Sequence, residues 1–142
     1  MRDKLTSAAR LLISLFAVSL LFASCAKKTL PLPKPGRFIE KNRHGAIVMD
    51  ITPWPPKTGT AEVQIRIFSR HNNPVSNASV KMDFSMPSMG MPGQKLNLTS
   101  SGNGTYQGNV KFTFATKWQV SVSVKIPHHR SLSGVFSFRV PY

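Results

Sequence analysis

The chain has 142 residues, room for one ordinary domain, and sets nineteen Lys and Arg against five Asp and Glu for a net charge of +14. Charged residues are only 17% of the total, so the imbalance comes from scarce acids, too few for most paired-carboxylate chemistry. Apolar residues at 41%, with nine Phe, support a packed core and exclude wholesale disorder; a single Cys excludes an intramolecular disulfide and a cysteine-rich zinc site.

Residues 1–24 read as a secretory signal peptide: basic Arg2, Lys4 and Arg10, an apolar run Leu11–Phe22, then small Ala23 and Ser24. The run is 12 residues long, short of the roughly 20 that a spanning helix needs. Leu21-Phe22-Ala23-Ser24-Cys25 resembles the bacterial lipobox, with Phe22 where Leu is usual. The resemblance implies lipidation of Cys25 and a place in the bacterial envelope, anchored to a membrane and facing the periplasm or exterior. An exported chain of this kind meets no nucleic acid. Its basic balance suits an anionic envelope surface or another envelope protein.

Residues 25–45 read as the lipidated Cys and a tether, in which AKKTLPLPKPG holds three Pro and three Lys. Prolines of this density favour an extended polyproline path.

From Ala46 onward the apolar period is two. Val63, Ile65 and Ile67 form one line; Val80, Met82, Phe84 and Met86 a second; Tyr106, Gly108, Val110, Phe112 and Phe114 a third. Trp118, Val120, Val122, Val124 and Ile126, then Phe136, Phe138 and Val140, complete the strong set. Each line predicts a strand with one apolar face. Weaker strands near Ala46–Thr52 and Gln94–Thr99 bring the count to seven, with Gly, Pro and Asn clusters between them. The pattern predicts an all-β, seven-stranded, immunoglobulin-like antiparallel sandwich over residues 46–142.

Met82, Met86, Met89 and Met91 fall within ten residues. Thioether sulfur is soft and neutral, so Met86, Met89 and Met91 are candidate ligands for Cu(I). Pro87 and Pro92 would stiffen the loop and Gly90 let it turn. The same residues admit a packing role: Met82 and Met86 share a face with Val80 and Phe84, and Met fills irregular cores well.

The stretch MPSMGM, followed by GNGTYQGNVKF and TKWQVSVSV, resembles the YtkA-like and FixH-like family of small envelope domains, from about Thr60 to Ile126. Thr116 stands where that family commonly has Gly. The resemblance implies an immunoglobulin-like sandwich, no known catalysis, and links to copper handling or to assembly of envelope metalloproteins.

In a sandwich, alternate connections share an end. Strand order therefore places Trp54 and Trp118 near the methionines, where an indole face could shield a bound cation, although Trp118 also keeps register with a core line. The opposite end collects His44, His71, His128 and His129, an alternative nitrogen site for a metal or a solvated rim beside Arg43, Arg70 and Arg130. No histidine is paired with an evident nucleophile and acid, and the one thiol belongs to the lipidation motif, so no enzyme is expected. Two functions remain: a lipid-anchored, non-catalytic binding module that takes up copper through the Met-rich loop, or a metal-free adaptor docking on an envelope complex.

Overall fold

Val63, Ile65 and Ile67 turn inward as their alternation predicts, and so do Val80, Met82, Phe84 and Met86 from the facing sheet. The computed structural model describes residues 30–129 and 131–142; the signal peptide, Cys25 and Arg130 lie outside them. Nine strands are found among the described residues: β1 (Arg37–Asn42), β2 (Gly45–Thr52), β3 (Gly59–Ser69), β4 (Ser79–Met86), β5 (Met91–Asn97), β6 (Thr99–Gly102), β7 (Thr105–Phe112), β8 (Lys117–Lys125) and β9 (Leu132–Arg139). They form two antiparallel sheets, one ordered β1-β2-β3-β7-β6 and the other β5-β4-β8-β9, packed face to face as an immunoglobulin-like sandwich. None of the described residues forms a helix long and apolar enough to cross a membrane.

The count of nine corrects the expected seven, for two reasons. The expected strand Gln94–Thr99 is two strands that change sheets at Leu98, whose N–H donates to Val80 O at 2.9 Å. Residues 37–42, read as tether, are β1, paired in register with β2 from Arg37↔Asp50 to Asn42↔Gly45. β1 is a half-exposed edge strand with charges along it, so it shows no clean alternation. The sandwich therefore begins at Arg37 rather than Ala46.

β2 is buried on both faces. Ile47, Met49 and Ile51 enter the core, while Ala46, Val48 and Asp50 on the outer face are also shielded. The segment 30–36 runs along this outer face for the length of β2. At one end Gly36 O accepts from Ile51 N at 3.0 Å; at the other, Leu30 shares a cleft with Ala46. Between them Leu32 O accepts from Arg37 Nη1 at 2.8 Å. Asp50, the one buried charge among the described residues, accepts from Arg37 Nε at 2.7 Å and from Arg66 Nη2 at 2.9 Å. Two guanidinium groups around one carboxylate compensate its burial.

Tyr106 fixes the crossing from β3 to β4. Its hydroxyl donates to Val75 O at 2.8 Å and accepts from Ala78 N at 2.9 Å, satisfying all three groups inside the protein. Phe38, Phe112, Phe138 and Trp54 close the other end in edge-to-face and tilted contacts, with centroids 5.5–6.3 Å apart.

Candidate functional site

The methionines sit where β4 turns into β5. β4 ends at Met86, and Pro87–Met89 form a single 3-10 turn. Gly90 takes a left-handed φ of 61° and donates its N–H to Pro87 O at 3.3 Å, which reverses the chain. Met91 then opens β5 directly opposite Met86. Met91 is thus a strand residue, not a loop residue as the Pro-Gly context had suggested.

Directly opposed residues share a sheet face, with Cβ atoms about 4.5–5.5 Å apart. Met86 and Met91 consequently meet over one cleft of about 400 Å³, lined also by Gln94, Lys111, Phe114 and Trp118. Met86 is 3% exposed and forms the floor, Met91 at 44% stands at the lip, and Met89, 43% exposed on the turn between them, does not line the cleft. Ser88 Oγ lies 3.2 Å from Thr116 Oγ1, tying the turn to the β7–β8 connection. Gln94 Oε1 accepts from Lys111 N at 3.1 Å and joins the two sheets beside the cleft.

A bulge between Asp83 and Ser85 sets this geometry, and Gly93 allows it. A Cβ at Gly93 would come within 2.0 Å of Phe84 O, so the backbone approach needs glycine.

Trp118 is 2% exposed, packs edge-on against Phe112 at 5.2 Å, and donates Nε1–H to Phe114 O at 3.0 Å. It is a core residue that also walls the cleft. Trp54 lies at the same end, but its ring packs on Phe38 and Phe138 at 5.5 and 6.3 Å and takes no part in lining the cleft. β1, absent from the sequence reading, supplies Phe38 and draws Trp54 to the other side. Phe114, expected in line with Phe112, falls beyond the end of β7 and is 43% exposed. Gln94 and Lys111 are lining residues that sequence reasoning did not identify; a polar residue beside a bulge leaves no periodic signal.

The histidines gather at the opposite end, though not as one site. His44 and His129 line a cavity of about 420 Å³ with Ser69, Val75, Asn77 and Ile126; His71 and His128 do not. His44 Nε2 accepts from Arg43 Nε at 3.1 Å, so that lone pair is engaged. His128 adopts a left-handed φ of 59° in the β8–β9 connection. Among the described residues, no group of three or more His, Cys, Asp or Glu is placed to hold a metal ion.

The chain is thus an immunoglobulin-like sandwich domain with a methionine-lined cleft at one end. Residues 45–123 match the YtkA-like family, and the chain belongs to it. Similar solved folds include a copper-bound variant of FetP from uropathogenic Escherichia coli, at TM-score 0.55 and 12% identity over 75% of this chain and 95% of that one. A DUF4426-family protein from Pseudomonas aeruginosa has TM-score 0.56 and 10% identity over 75% and 95% of the two chains. The soluble domain of PmoD from Methylocystis sp. has TM-score 0.50 and 10% identity over 72% and 95%. At such identities the likeness is one of fold. No curated protein matches the chain.

Proposed function

We propose that this YtkA-like domain is a non-catalytic binding module of the bacterial envelope, anchored through lipid at Cys25, that takes up Cu(I) at Met86, Met89 and Met91. The observation behind the copper reading is the direct opposition of Met86 and Met91 with Met89 on the turn between them. Two thioethers over one cleft and a third on the exposed turn between them make a soft, neutral donor set, which suits Cu(I) and not harder ions. Trp118 and Phe114 supply an apolar wall that limits water. The copper-bound state of FetP, which shares the fold, lends support by analogy.

Titration with Cu(I) against a competing chelator tests the reading. One equivalent retained at neutral pH is expected, with quenching of tryptophan fluorescence through Trp118. Anchoring has its own test: Cys25→Ser should release the protein from the membrane fraction or leave an unprocessed precursor, and an unchanged mature mass and location would refute it.

A second reading has its own support. Trp54, Met89, Met91 and Phe114 are all exposed at this end, a concentration of apolar surface of the kind found where proteins dock. If the wild-type domain retains no Cu(I), this end is read as an adaptor surface for another envelope protein.

A further inference from the structure

From the path of segment 30–36 we infer which way up the domain stands: the end bearing Lys41, Arg43 and Arg70 docks on anionic lipid headgroups, and the methionine cleft points away from the bilayer. The inference rests on the envelope anchoring proposed above and is independent of copper.

The segment is not a free tether. It starts beside Ile51 and finishes at Leu30, which shares a cleft with Lys41, Arg43, Ala46 and Arg70. Only four residues separate Leu30 from Cys25, five Cα–Cα steps with a reach of at most about 18 Å. β2 has eight residues, so the methionine end lies about 25 Å farther along the sandwich. A lipid on Cys25 therefore holds the Lys41–Arg43–Arg70 end to the surface before the methionine end can reach it.

The charges at the held end fit an anionic surface. Lys41, Arg43 and Arg70 are exposed, and the connections around them, 42–45, 69–78, 102–105 and 126–131, contain no Asp or Glu. Lys27 and Lys28 lie in the stretch between Cys25 and Leu30 and add to the same field. Each Lys or Arg near such a surface strengthens partitioning by about fivefold, an effect that fades within a Debye length. The basic patch then adds an electrostatic contribution to the lipid anchor and fixes which face meets the surface.

All nine strands and the core lie between Arg37 and Val140, so the unlipidated span 26–142 contains the whole domain and is the test material. Its flotation is measured with phosphatidylcholine vesicles, with and without phosphatidylglycerol, at low salt. Binding only to the anionic vesicles is expected. Lys41→Ser, Arg43→Ser and Arg70→Ser together should lower it on the order of 100-fold. Lys57→Ser, Lys117→Ser and Arg139→Ser, an equal charge change at the other end, should leave it within a few-fold. Equal loss in the two triple variants would reduce the effect to net charge and overturn the proposal, as would absence of binding to anionic vesicles. Nitroxide-labelled headgroups should not quench Trp54 in the bound wild type, and strong quenching would mean the reverse orientation. A Cu(I) titration on the same preparation shows separately whether the methionine reading stands.

Discussion

Arg37 and Asp50 sit directly opposite each other on β1 and β2 and close a two-point ion pair, Nε to Oδ1 at 2.7 Å and Nη2 to Oδ2 at 2.9 Å. Arg66 reaches the same carboxylate from β3. Three neighbouring strands are thereby joined on the outer face, and Arg37 also holds Leu32 O of the segment that leads to the anchor. The pair links the edge of the fold to the path of its N-terminal segment.

Asp50→Asn leaves two guanidinium groups without their counter-charge in a shielded place. It should lower stability by about 2–4 kcal/mol at neutral pH. Burial pushes the Asp50 carboxyl up, but the Arg37 hydrogen bond and the charges of Arg37, Arg66 and Lys34 outweigh it and hold the group below its ordinary value. A carboxyl lowered on folding contributes stability above its unfolded value of about 3.9 and loses it as pH falls through the folded value. Urea unfolding of wild type and variant should therefore converge below about pH 4. A gap that stayed constant into strong acid would show that the charge contributes nothing.

Trp118→Ala should cost about 3–5 kcal/mol, the usual range for truncating a buried aromatic. The side chain is 2% exposed and its indole N–H has a partner in Phe114 O. A domain of this size has only about 5–15 kcal/mol in all, so the unfolding midpoint should fall steeply. Trp118→Phe, which keeps a ring against Phe112, should fall less; equal losses would point to the hydrogen bond rather than packing.

The strong strands were legible because each has one wet face and one dry face. β2 was weak in sequence for the opposite reason: Ala46, Ile47, Val48, Met49 and Asp50 are buried in succession, so no alternation appears. β1 and β5 are edge strands with polar or glycine positions on both faces, and their pairing depends on partners distant in sequence. Alternating connections bring Trp118 to the methionine end and His44 and His129 to the opposite one. What strand order could not give was rotation within an end. That is set by β1, which takes Trp54 toward Phe38, and by the bulge at Gly93, which turns Met91 from a loop residue into the partner of Met86.

Gly93→Ala tests that bulge. The added methyl would meet Phe84 O, so β5 must shift away from β4, at a cost of about 1–3 kcal/mol. Amide exchange should quicken at Met86 and Met91 while the β8–β9 pairing keeps its protection. Uniform quickening across both pairs would show global destabilisation in place of a local bulge.

Met89→Leu with Met91→Leu removes two thioethers at nearly constant size and apolarity, at two positions that are more than 40% exposed. Such swaps usually cost under about 1.5 kcal/mol, so the fold should survive. Met86 alone would remain, on the floor of the cleft, and one thioether holds Cu(I) poorly; retention against a chelator should fall at least tenfold. Thioethers carry no proton near neutrality, so wild-type affinity should persist to about pH 5, below the ordinary histidine value of about 6.5. Histidine ligands would lose the ion across that interval, because each must be neutral to bind. Loss of binding between pH 7 and 5, with the double variant unchanged from wild type, would move the site to the cavity of His44 and His129. Retention at pH 5 in wild type and its loss in the variant would fix the ion on the methionines.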